Sequence, residues 1–355
     1  MAASAAAMRP MPTRVATWPL RRETLLEVVG LEVVLANGEV IQTGRISKKE
    51  LEKKKGLATL EGELYRAVDG LATDTASALT AYRDAHAELS RDNVGYALDQ
   101  LVSRDGSIDL TPLFVGSQGT LGIISEAILR VAPYAPQTSL VVAGFDDVQK
   151  MCQALNKVAD LQPSSVEMID RGLIEFIKKD RQYDVLTGVF EQTIETPEVV
   201  LFVEFDEHQA SKRSRKTKKC LKQLAPYAQA LTSSHDSDTQ ENLWAVRSSS
   251  LSVINYDKAG KVAVPVIDDV IVPRSNLETL ISRIRELADK HHIELAIWGH
   301  AAEANLHVQP LLDLSKLGDR QRVFKLMDEL YRSVIGMGGS IAAENNEGRL
   351  RAPYV

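Results

Sequence analysis

Residues 293–312 read IELAIWGHAAEANLHVQPLL, and in this stretch two apolar segments flank a short turn. The segments, 293–298 and 306–312, have the length and apolar character of buried strands. Strands joined by so short a turn pair in antiparallel fashion. The stretch therefore predicts an antiparallel sheet in this part of the chain.

Two histidines lie near the turn of this predicted strand pair. His300 follows the first strand and His307 lies just inside the second, so the turn can bring both imidazoles to one end of a sheet. Two imidazoles and one carboxylate suit a divalent transition metal. Glu344, at the end of a short strand predicted at 340–344, is the candidate third ligand. Structural histidines with satisfied hydrogen bonds are the alternative interpretation of the same spacing.

Amphipathic helices flank the strand pair on both sides. The first is predicted to begin with a capping box at Ser275 and Glu278 and to end near His291 and His292. These two histidines are interpreted as cations at a helix C-terminus, where the dipole favours them. A second helix is predicted at 319–337.

Strand and helix patterns also alternate upstream, after Pro133 and Pro136 end the preceding pattern. A domain boundary is predicted there. The β-α-β order predicts an α+β fold with an antiparallel sheet and helices on one side. The predicted segments are a strand at 138–145, a helix at 146–161, a strand at 164–168, a helix at 171–179, a strand at 199–205, a helix at 207–224 and a strand at 229–234.

The N-terminal third has a different pattern. Residues 28–43 read VVGLEVVLANGEVIQT, and the Asn37-Gly38 dipeptide between two β-rich runs predicts a hairpin. Residues 47–89 have helical spacing and predict helices joined by a short loop. Residues 1–27 are expected to be poorly ordered.

Three glycines, Gly116, Gly119 and Gly122, lie between short apolar segments in LFVGSQGTLGIISEAILRV at 113–131. Glycine removes the Cβ that keeps other groups away from the backbone. The spacing therefore predicts a backbone that another group approaches closely, or else a tight structural bend.

Composition limits the class of protein. The 355 residues exceed the size of one hydrophobic core, so two domains are expected. A net charge of -6 argues against wholesale nucleic-acid binding. Cys152 and Cys220 form no Cys-x-x-Cys pair, which suits a reducing, cytoplasmic compartment. Residues 212–222 hold seven Lys or Arg, which predict a solvated helix face or, as the alternative, a peripheral contact with anionic membrane.

Three motifs in order resemble the FAD-linked oxidases of the vanillyl-alcohol oxidase type. They are GSQGTLGIISEAILRVAP at 116–133, GHAAEANLHV at 299–308 and AAENNEGRLRAPY at 342–354, and LEVVLANGEVIQTG at 31–44 and NVGYALD at 93–99 also fit. Within that family the chain looks most like the D-lactate, glycolate and D-2-hydroxyglutarate dehydrogenase branch. The resemblance extends from about residue 30 to the C-terminus.

The resemblance implies an α+β fold in two parts. Residues 28–134 would be the second part of a PCMH-type FAD-binding domain. Residues 135–355 would be a cap domain with a ferredoxin-like antiparallel sheet that closes over the flavin ring.

The resemblance also assigns residues to a site. Backbone atoms of the glycine-rich stretch would contact FAD. His300, His307 and Glu344 match the ligands of a divalent metal such as Zn, Mn or Fe. Arg247 matches an arginine that binds the substrate carboxylate. Lys261 would be a second cationic contact. The FAD contacts implied are Gly116, Ser117, Gly119, Thr120, Gly122 and Ile124.

The activity implied is oxidation of a short D-2-hydroxy acid, of the D-lactate type, by hydride transfer to flavin N5. A quinone, a cytochrome or another flavoprotein would then accept the electrons. The alternative is a catalytically impaired fragment or a non-enzymatic subunit of such an enzyme. A metal-binding or membrane-contacting module is the third interpretation.

The chain departs from the family pattern at two places. The glutamate of the last motif is normally followed by a histidine, the candidate base, but Asn345 stands here and cannot titrate. The proton would then pass to a metal-bound hydroxide, to Glu347, or to His291 or His292. In addition, nothing before Val28 resembles the glycine-rich segment that clasps the FAD pyrophosphate, so weak FAD binding is expected.

Overall fold

The computed structural model describes residues 28–131, 135–178, 184–186, 188, 196–250, 257–258 and 261–355. The sequence-based expectation for residues 1–27 falls outside them. Contacts within the chain divide these residues into two units. The first comprises residues 28–131 and 342–355, and the second comprises residues 135–341.

A hairpin begins the first unit, as predicted. Strands β1 (Val28–Val34) and β2 (Val40–Gln42) pair in antiparallel register, with Val34 opposite Val40. Gly38 has a φ of +85°, the left-handed conformation that Asn-Gly turns require. Strand β3 (Arg45–Ile46) follows directly.

Three helices cover the next segment, α1 (Lys48–Lys55), α2 (Leu60–Asp74) and α3 (Ala76–Ala85), which confirms the helical prediction. After them come β4 (Ile108–Asp109), α4 (Thr111–Phe114) and β5 (Ile123–Leu129). Strand β5 pairs antiparallel with β1, and β3 pairs with β4. Apolar side chains from β1, α2 and α4 form the core of this unit, among them Val33, Tyr65 and Phe114.

The second unit contains an extended antiparallel sheet with helices. Its elements are β6 (Ser139–Phe145), α5 (Val148–Ala159), β7 (Ser165–Asp170), α6 (Arg171–Phe176), β8 (Val199–Phe205), α7 (Ala210–Leu224), β9 (Ala230–Ser234), α8 (Ser237–Ser248), β10 (Asp257–Lys258), β11 (Lys261–Ala263), β12 (Ile267–Ile271), α9 (Leu277–His291), β13 (Leu295–His300), β14 (Asn305–Leu312) and α10 (Leu317–Gly336). The strand order is β10-β11-β14-β13-β7-β8-β6-β9, and β12 also pairs with β14. Each of these pairs is antiparallel, which confirms the predicted α+β class.

The central strands of this sheet are buried on both faces, so the prediction of helices on one side was wrong. Every residue of β6, β7 and β8 is buried, which explains why β6 and β8 read as nearly continuous apolar runs. Helices α6 and α8 pack on one face, where Leu173, Trp244 and Val246 meet Phe202 and Trp298. Helices α5 and α7 contact β6 and β8, and α9 packs against α5 and α10.

Two local predictions were wrong. Helix α9 begins at Leu277 after a 3-10 turn at Arg274–Asn276, and no side chain caps its first turn, so the expected capping box is absent. The strand expected at 340–344 is reduced to one bridge between Ser340 and Ile271. Past Ser340 the backbone bonds elsewhere: the Ala342 carbonyl accepts a hydrogen bond from the Asn93 amide, and both residues belong to the first unit.

A short helix, α11 (Gly348–Arg351), lies in the C-terminal segment of the first unit. Sequence analysis assigned this segment to the cap domain. Among the described residues no helix is both long and apolar enough to cross a bilayer.

The buried carboxylate of Asp170 joins three elements of the second unit, and this generates a stability prediction. Its Oδ1 accepts hydrogen bonds from the Leu173 amide of α6 at 3.0 Å and from the Ile297 amide of β13 at 2.9 Å. Burial raises the pKa of Asp170 to about 6. Asp170→Ala leaves two buried amides unpaired, so we expect urea denaturation to show a loss of about 2–3 kcal/mol in unfolding free energy.

Asp170→Asn is the matched control, because the amide oxygen can still accept both bonds. We expect it to retain more than half of the stability that the alanine variant loses. Equal losses in the two variants would show that the acceptor role is wrong.

Candidate functional site

One face of the second unit's sheet carries the two histidines of interest. Glu167 on β7 lies opposite His300 on β13, and Trp298 on β13 lies opposite His307 on β14. Every second residue of a strand points to the same face. The cross-strand register therefore places these four side chains on one face, at the end where β13 turns into β14.

The two imidazoles lie beside each other. Their ring centroids are 6.3 Å apart and the rings are steeply inclined, at 74°. The ring of His307 also stacks on Trp298, with centroids 5.9 Å apart and an interplanar angle of 16°. The structure brings His300 and His307 together, and their role as metal ligands stays a prediction.

A buried acid that sequence analysis missed, Glu167, connects these residues. Its Oε1 lies 2.5 Å from His300 Nδ1, and its Oε2 accepts bonds from Arg247 Nε at 3.0 Å and Nη2 at 2.8 Å. The residue is 4% exposed. Burial raises the pKa of its carboxyl, but the neighbouring His300 and Arg247 outweigh burial and lower it to about 2. Glu167 is therefore ionised at neutral pH.

The sequence does contain a signal for this residue. Glu167 lies between the apolar residues Val166 and Met168, inside a strand whose residues are all buried. A charged side chain in such a place is rare without a partner. Which partner it has could not be inferred, because Arg247 and His300 are 80 and 133 residues away in the chain.

Arg247 lies in the last turn of α8 and is mostly buried. Besides its two bonds to Glu167, its Nη1 donates to Ser250 Oγ at 3.0 Å. The guanidinium has five N–H groups. Among the described residues, the bonds to Glu167 and Ser250 use three of them, which leaves one N–H on each terminal nitrogen for another acceptor.

Lys261, predicted as a second cationic contact, lies elsewhere in this unit. It is on β11, which pairs with the far end of β14 at Leu312, and its Nζ contacts Glu294 at 3.2 Å. Leu312 lies five positions after His307 on β14, or about 17 Å along an extended strand. The structure therefore does not bring Lys261 together with the histidines.

His291 and His292 also lie away from the site. They end α9 just before β13 begins, whereas His300 is at the other end of that strand. His291 is buried and its Nε2 lies 3.1 Å from Glu329 Oε1. Their position supports the helix-terminus interpretation and leaves them no role as a base near His300.

Two further site candidates, Glu344 and Asn345, belong to the C-terminal segment of the first unit. Glu344 forms an ion pair with the buried Arg91, and its backbone carbonyl accepts a bond from Asn93 Nδ2 at 3.2 Å. The carbonyl of Asn345 accepts from Arg351 Nη2 at 3.0 Å. The roles of Glu344 as a ligand and of Asn345 at the base position stay predictions.

The three glycines of the glycine-rich stretch have different surroundings. A Cβ on Gly122 would lie 2.7 Å from a Val33 methyl group and 2.9 Å from the Val34 carbonyl, so β1 requires glycine there. A Cβ on Gly116 would meet the Asn346 amide at 2.9 Å. At Gly119, where φ is +78°, no heavy atom of the described residues lies within 4 Å of that position.

The other predicted flavin contacts lie in the turn around Gly119 or on the strand that follows it. The buried Ser117 accepts bonds through its carbonyl from Thr120 N and Oγ1, and Thr120 Oγ1 also pairs with the Tyr96 hydroxyl at 2.8 Å. Ile124 lies on β5 opposite Val33 and packs on the core. Gly119 is therefore the position where an external group could best approach the backbone.

A comparison with family models identifies the second part of the chain. Residues 135–355 match the model described as "FAD linked oxidases, C-terminal domain", and this range is more than half of the sequence. The chain belongs to the FAD-linked oxidases.

Curated relatives of this FAD-linked oxidase agree with that assignment. It is 26% identical to the glycolate oxidase subunit GlcD of Bacillus subtilis over 92% of this chain and 56% of the relative. It is 25% identical to D-2-hydroxyglutarate dehydrogenase of Pantoea ananatis over 92% of this chain and 32% of the relative. It is 26% identical to the mitochondrial D-lactate dehydrogenase [cytochrome] of Arabidopsis thaliana over 70% of this chain and 42% of the relative. The chain spans about half or less of these relatives' lengths.

Solved structures support the fold. The chain superposes on 4-ethylphenol oxidase from Gulosibacter chungangensis with a TM-score of 0.57 at 13% identity, covering 95% of this chain and 62% of that one. It superposes on p-cresol methylhydroxylase with a TM-score of 0.54 at 15% identity, covering 94% and 61%. The predicted FAD-linked oxidase family and PCMH-type fold are confirmed.

Substitutions at Gly122 and Gly119 should distinguish a glycine required by packing from one required by a cofactor contact. Gly122→Ala forces a methyl group against β1, so we expect it to lower unfolding free energy by about 1–3 kcal/mol. Gly119→Ala meets no such neighbour and costs about 1–2 kcal/mol from its left-handed backbone alone. Urea denaturation measures both losses, and FAD titration by fluorescence compares the folded variants.

We expect the Gly119 variant to lose more FAD affinity than the Gly122 variant when both are compared in the folded state. Equal FAD affinities for the Gly119 variant and the unmodified chain would exclude a flavin contact at Gly119.

Proposed function

We propose that this chain takes part in the FAD-dependent oxidation of a short D-2-hydroxy acid, of the D-lactate type, to the 2-oxo acid. The names of its relatives support this substrate class, since they act on glycolate, D-2-hydroxyglutarate and D-lactate. The observation that carries the proposal is the convergence of Arg247, His300 and His307 at one end of the sheet. A guanidinium and two imidazoles that could hold a metal would together bind an acid that also has a hydroxyl group.

Arg247 would hold the substrate carboxylate. Its Nε and one N–H of Nη2 are bonded to Glu167, which fixes the plane of the guanidinium. The second N–H groups of Nη1 and Nη2 can donate to the two oxygens of a carboxylate, the bidentate geometry that a guanidinium favours. A lysine at this position could not present such a pair.

His300 and His307 fit a divalent metal such as Zn, Mn or Fe. The Nδ1 of His300 faces a carboxylate, an arrangement typical of metal-binding histidines, so a metal would be bound through its Nε2. Glu344 is proposed as the third ligand. When bound, the metal would lower the pKa of a hydroxyl group in its coordination sphere.

FAD would be contacted by the turn around Gly119, where the backbone is open to a close approach. The glycine-rich positions proposed with it are Gly116, Ser117, Thr120, Gly122 and Ile124. When bound, the flavin supplies the acceptor for the substrate hydride. A quinone, a cytochrome or another flavoprotein is the proposed final electron acceptor.

The proton of the substrate hydroxyl needs an acceptor. Asn345 cannot titrate, and His291 and His292 lie at the wrong end of β13. Glu347 is the side chain that remains from the sequence-based candidates. Its Oε2 now accepts a hydrogen bond from the Gly95 amide at 3.1 Å, which keeps the carboxylate in one orientation.

Anaerobic mixing of the FAD-loaded chain with D-lactate tests this function. Oxidation of the substrate reduces the flavin, so we expect the absorbance of oxidised flavin to be lost. With dichlorophenolindophenol as electron acceptor, we expect Arg247→Lys to raise KM for D-lactate about tenfold or more, because the charge-assisted fork is lost. Arg215→Lys, the same change on the exposed face of α7, is the matched control and should leave KM unchanged.

Flavin that binds and stays oxidised in the presence of D-lactate, glycolate and D-2-hydroxyglutarate would contradict the proposed activity. That result would favour the alternative of a non-enzymatic subunit or an impaired fragment.

A further inference from the structure

The two carboxylate oxygens of Glu167 serve different partners. Oε1 lies against Nδ1 of His300, and Oε2 accepts two bonds from Arg247. An ionised carboxylate can only accept hydrogen bonds. Because the same carboxylate also accepts two bonds from a guanidinium, the contact geometry assigns the donor role to Nδ1 of His300.

The position of Glu167 is set by the sheet itself. Strand β7 lies between β13 and β8, and Glu167 is in register with His300 on one side and Phe202 on the other. Its side chain is buried under α8, the helix that carries Arg247. A carboxylate on an interior strand has little freedom to move, so it can hold a flexible partner in one orientation.

We propose that Glu167 is the positioning residue of this site, orienting His300 through Nδ1 so that Nε2 binds the metal, while its second oxygen holds Arg247 toward the same end of the sheet. The inference rests on the proposed function, because it assumes that His300 is a metal ligand. It adds a residue that neither the motifs nor the comparisons assign to the site.

Glutamine at this position would break the arrangement for a specific reason. A glutamine side chain has one acceptor oxygen and one NH2 donor, whereas both partners of Glu167 donate. The oxygen would pair with the charged Arg247, and the NH2 group would then face Nδ1 of His300. The imidazole could satisfy that donor only by moving its hydrogen to Nε2, the nitrogen that has to bind the metal.

The test is a titration of the metal-free chain with Co²⁺ and Zn²⁺, in which calorimetry and the visible Co²⁺ spectrum measure metal binding. Neither readout requires flavin or turnover. We expect Glu167→Gln to weaken metal binding about 10- to 100-fold, the range found when a carboxylate partner of a metal-binding histidine is removed. Glu204→Gln is the matched control: Glu204 is a buried acid on the adjacent strand β8, bonded to Ser164, and its loss should leave metal affinity unchanged.

A second variant keeps the test decisive even if Glu167→Gln folds poorly. The double variant Glu167→Gln/Arg247→Met removes the competing cation, so the amide oxygen can accept from His300 Nδ1. We expect it to regain most of the metal affinity, which a general loss of stability would not allow. Long-range ¹H–¹⁵N spectra of the metal-free proteins should show the hydrogen of His300 on Nδ1 in the unmodified chain and on Nε2 in Glu167→Gln.

Failure of this inference and failure of the proposed metal site can be told apart. If His307→Ala binds Co²⁺ as tightly as the unmodified chain, the metal site itself is wrong. If His307→Ala loses affinity while Glu167→Gln retains it, or if the double variant shows no recovery, then only the positioning role of Glu167 is wrong.

Discussion

Glu167 carries a negative charge on an interior strand of the sheet, where water cannot solvate it. Such a charge is stable only when donors surround it, and removing one partner of a buried pair typically costs about 3–5 kcal/mol. His300 and Arg247 are those donors. This requirement ties β7, β13 and the end of α8 to one another, and it gives both the imidazole and the guanidinium a defined orientation. The candidate chemistry of the second unit depends on that orientation.

The first unit is held by a different set of contacts. Its C-terminal segment packs on residues that lie about 250 positions earlier: Asn93 bonds to the Ala342 and Glu344 carbonyls, and Arg91 pairs with Glu344. The two bonds from Asn93 are accepted by backbone carbonyls, so they do not depend on the side chains of the segment. Asn346 also fills the space over Gly116, which explains one of the three glycines without any cofactor.

The chain belongs to the FAD-linked oxidase family and spans about half or less of the curated relatives' lengths. The proposed substrate-binding residues and the proposed flavin-contacting residues lie on different parts of the chain and are considered separately. In the second unit, hydrogen bonds join Glu167 to His300 and Arg247, and His307 lies beside His300, which is the set proposed to bind a hydroxy acid and a metal. In the first unit, the glycine-rich stretch owes two of its glycines to packing and leaves Gly119 as the position open to a flavin.

Local sequence determined most of the secondary structure. The Asn37-Gly38 turn, the apolar runs of β6 and β8 and the amphipathic stripe of α9 depend on neighbours a few residues away, so turn chemistry and periodicity predicted them. The proximity of His300 and His307 was predictable for the same reason, since one short turn joins their strands. The motifs likewise indicated the family. Only the tertiary structure decided which residue joins His300 to Arg247, that Lys261 lies near the other end of β14, and that Gly122 packs on β1. Those contacts arise from pairing between strands and helices far apart in the chain, and the register of such pairing depends on the burial of the whole sheet, which no local pattern encodes.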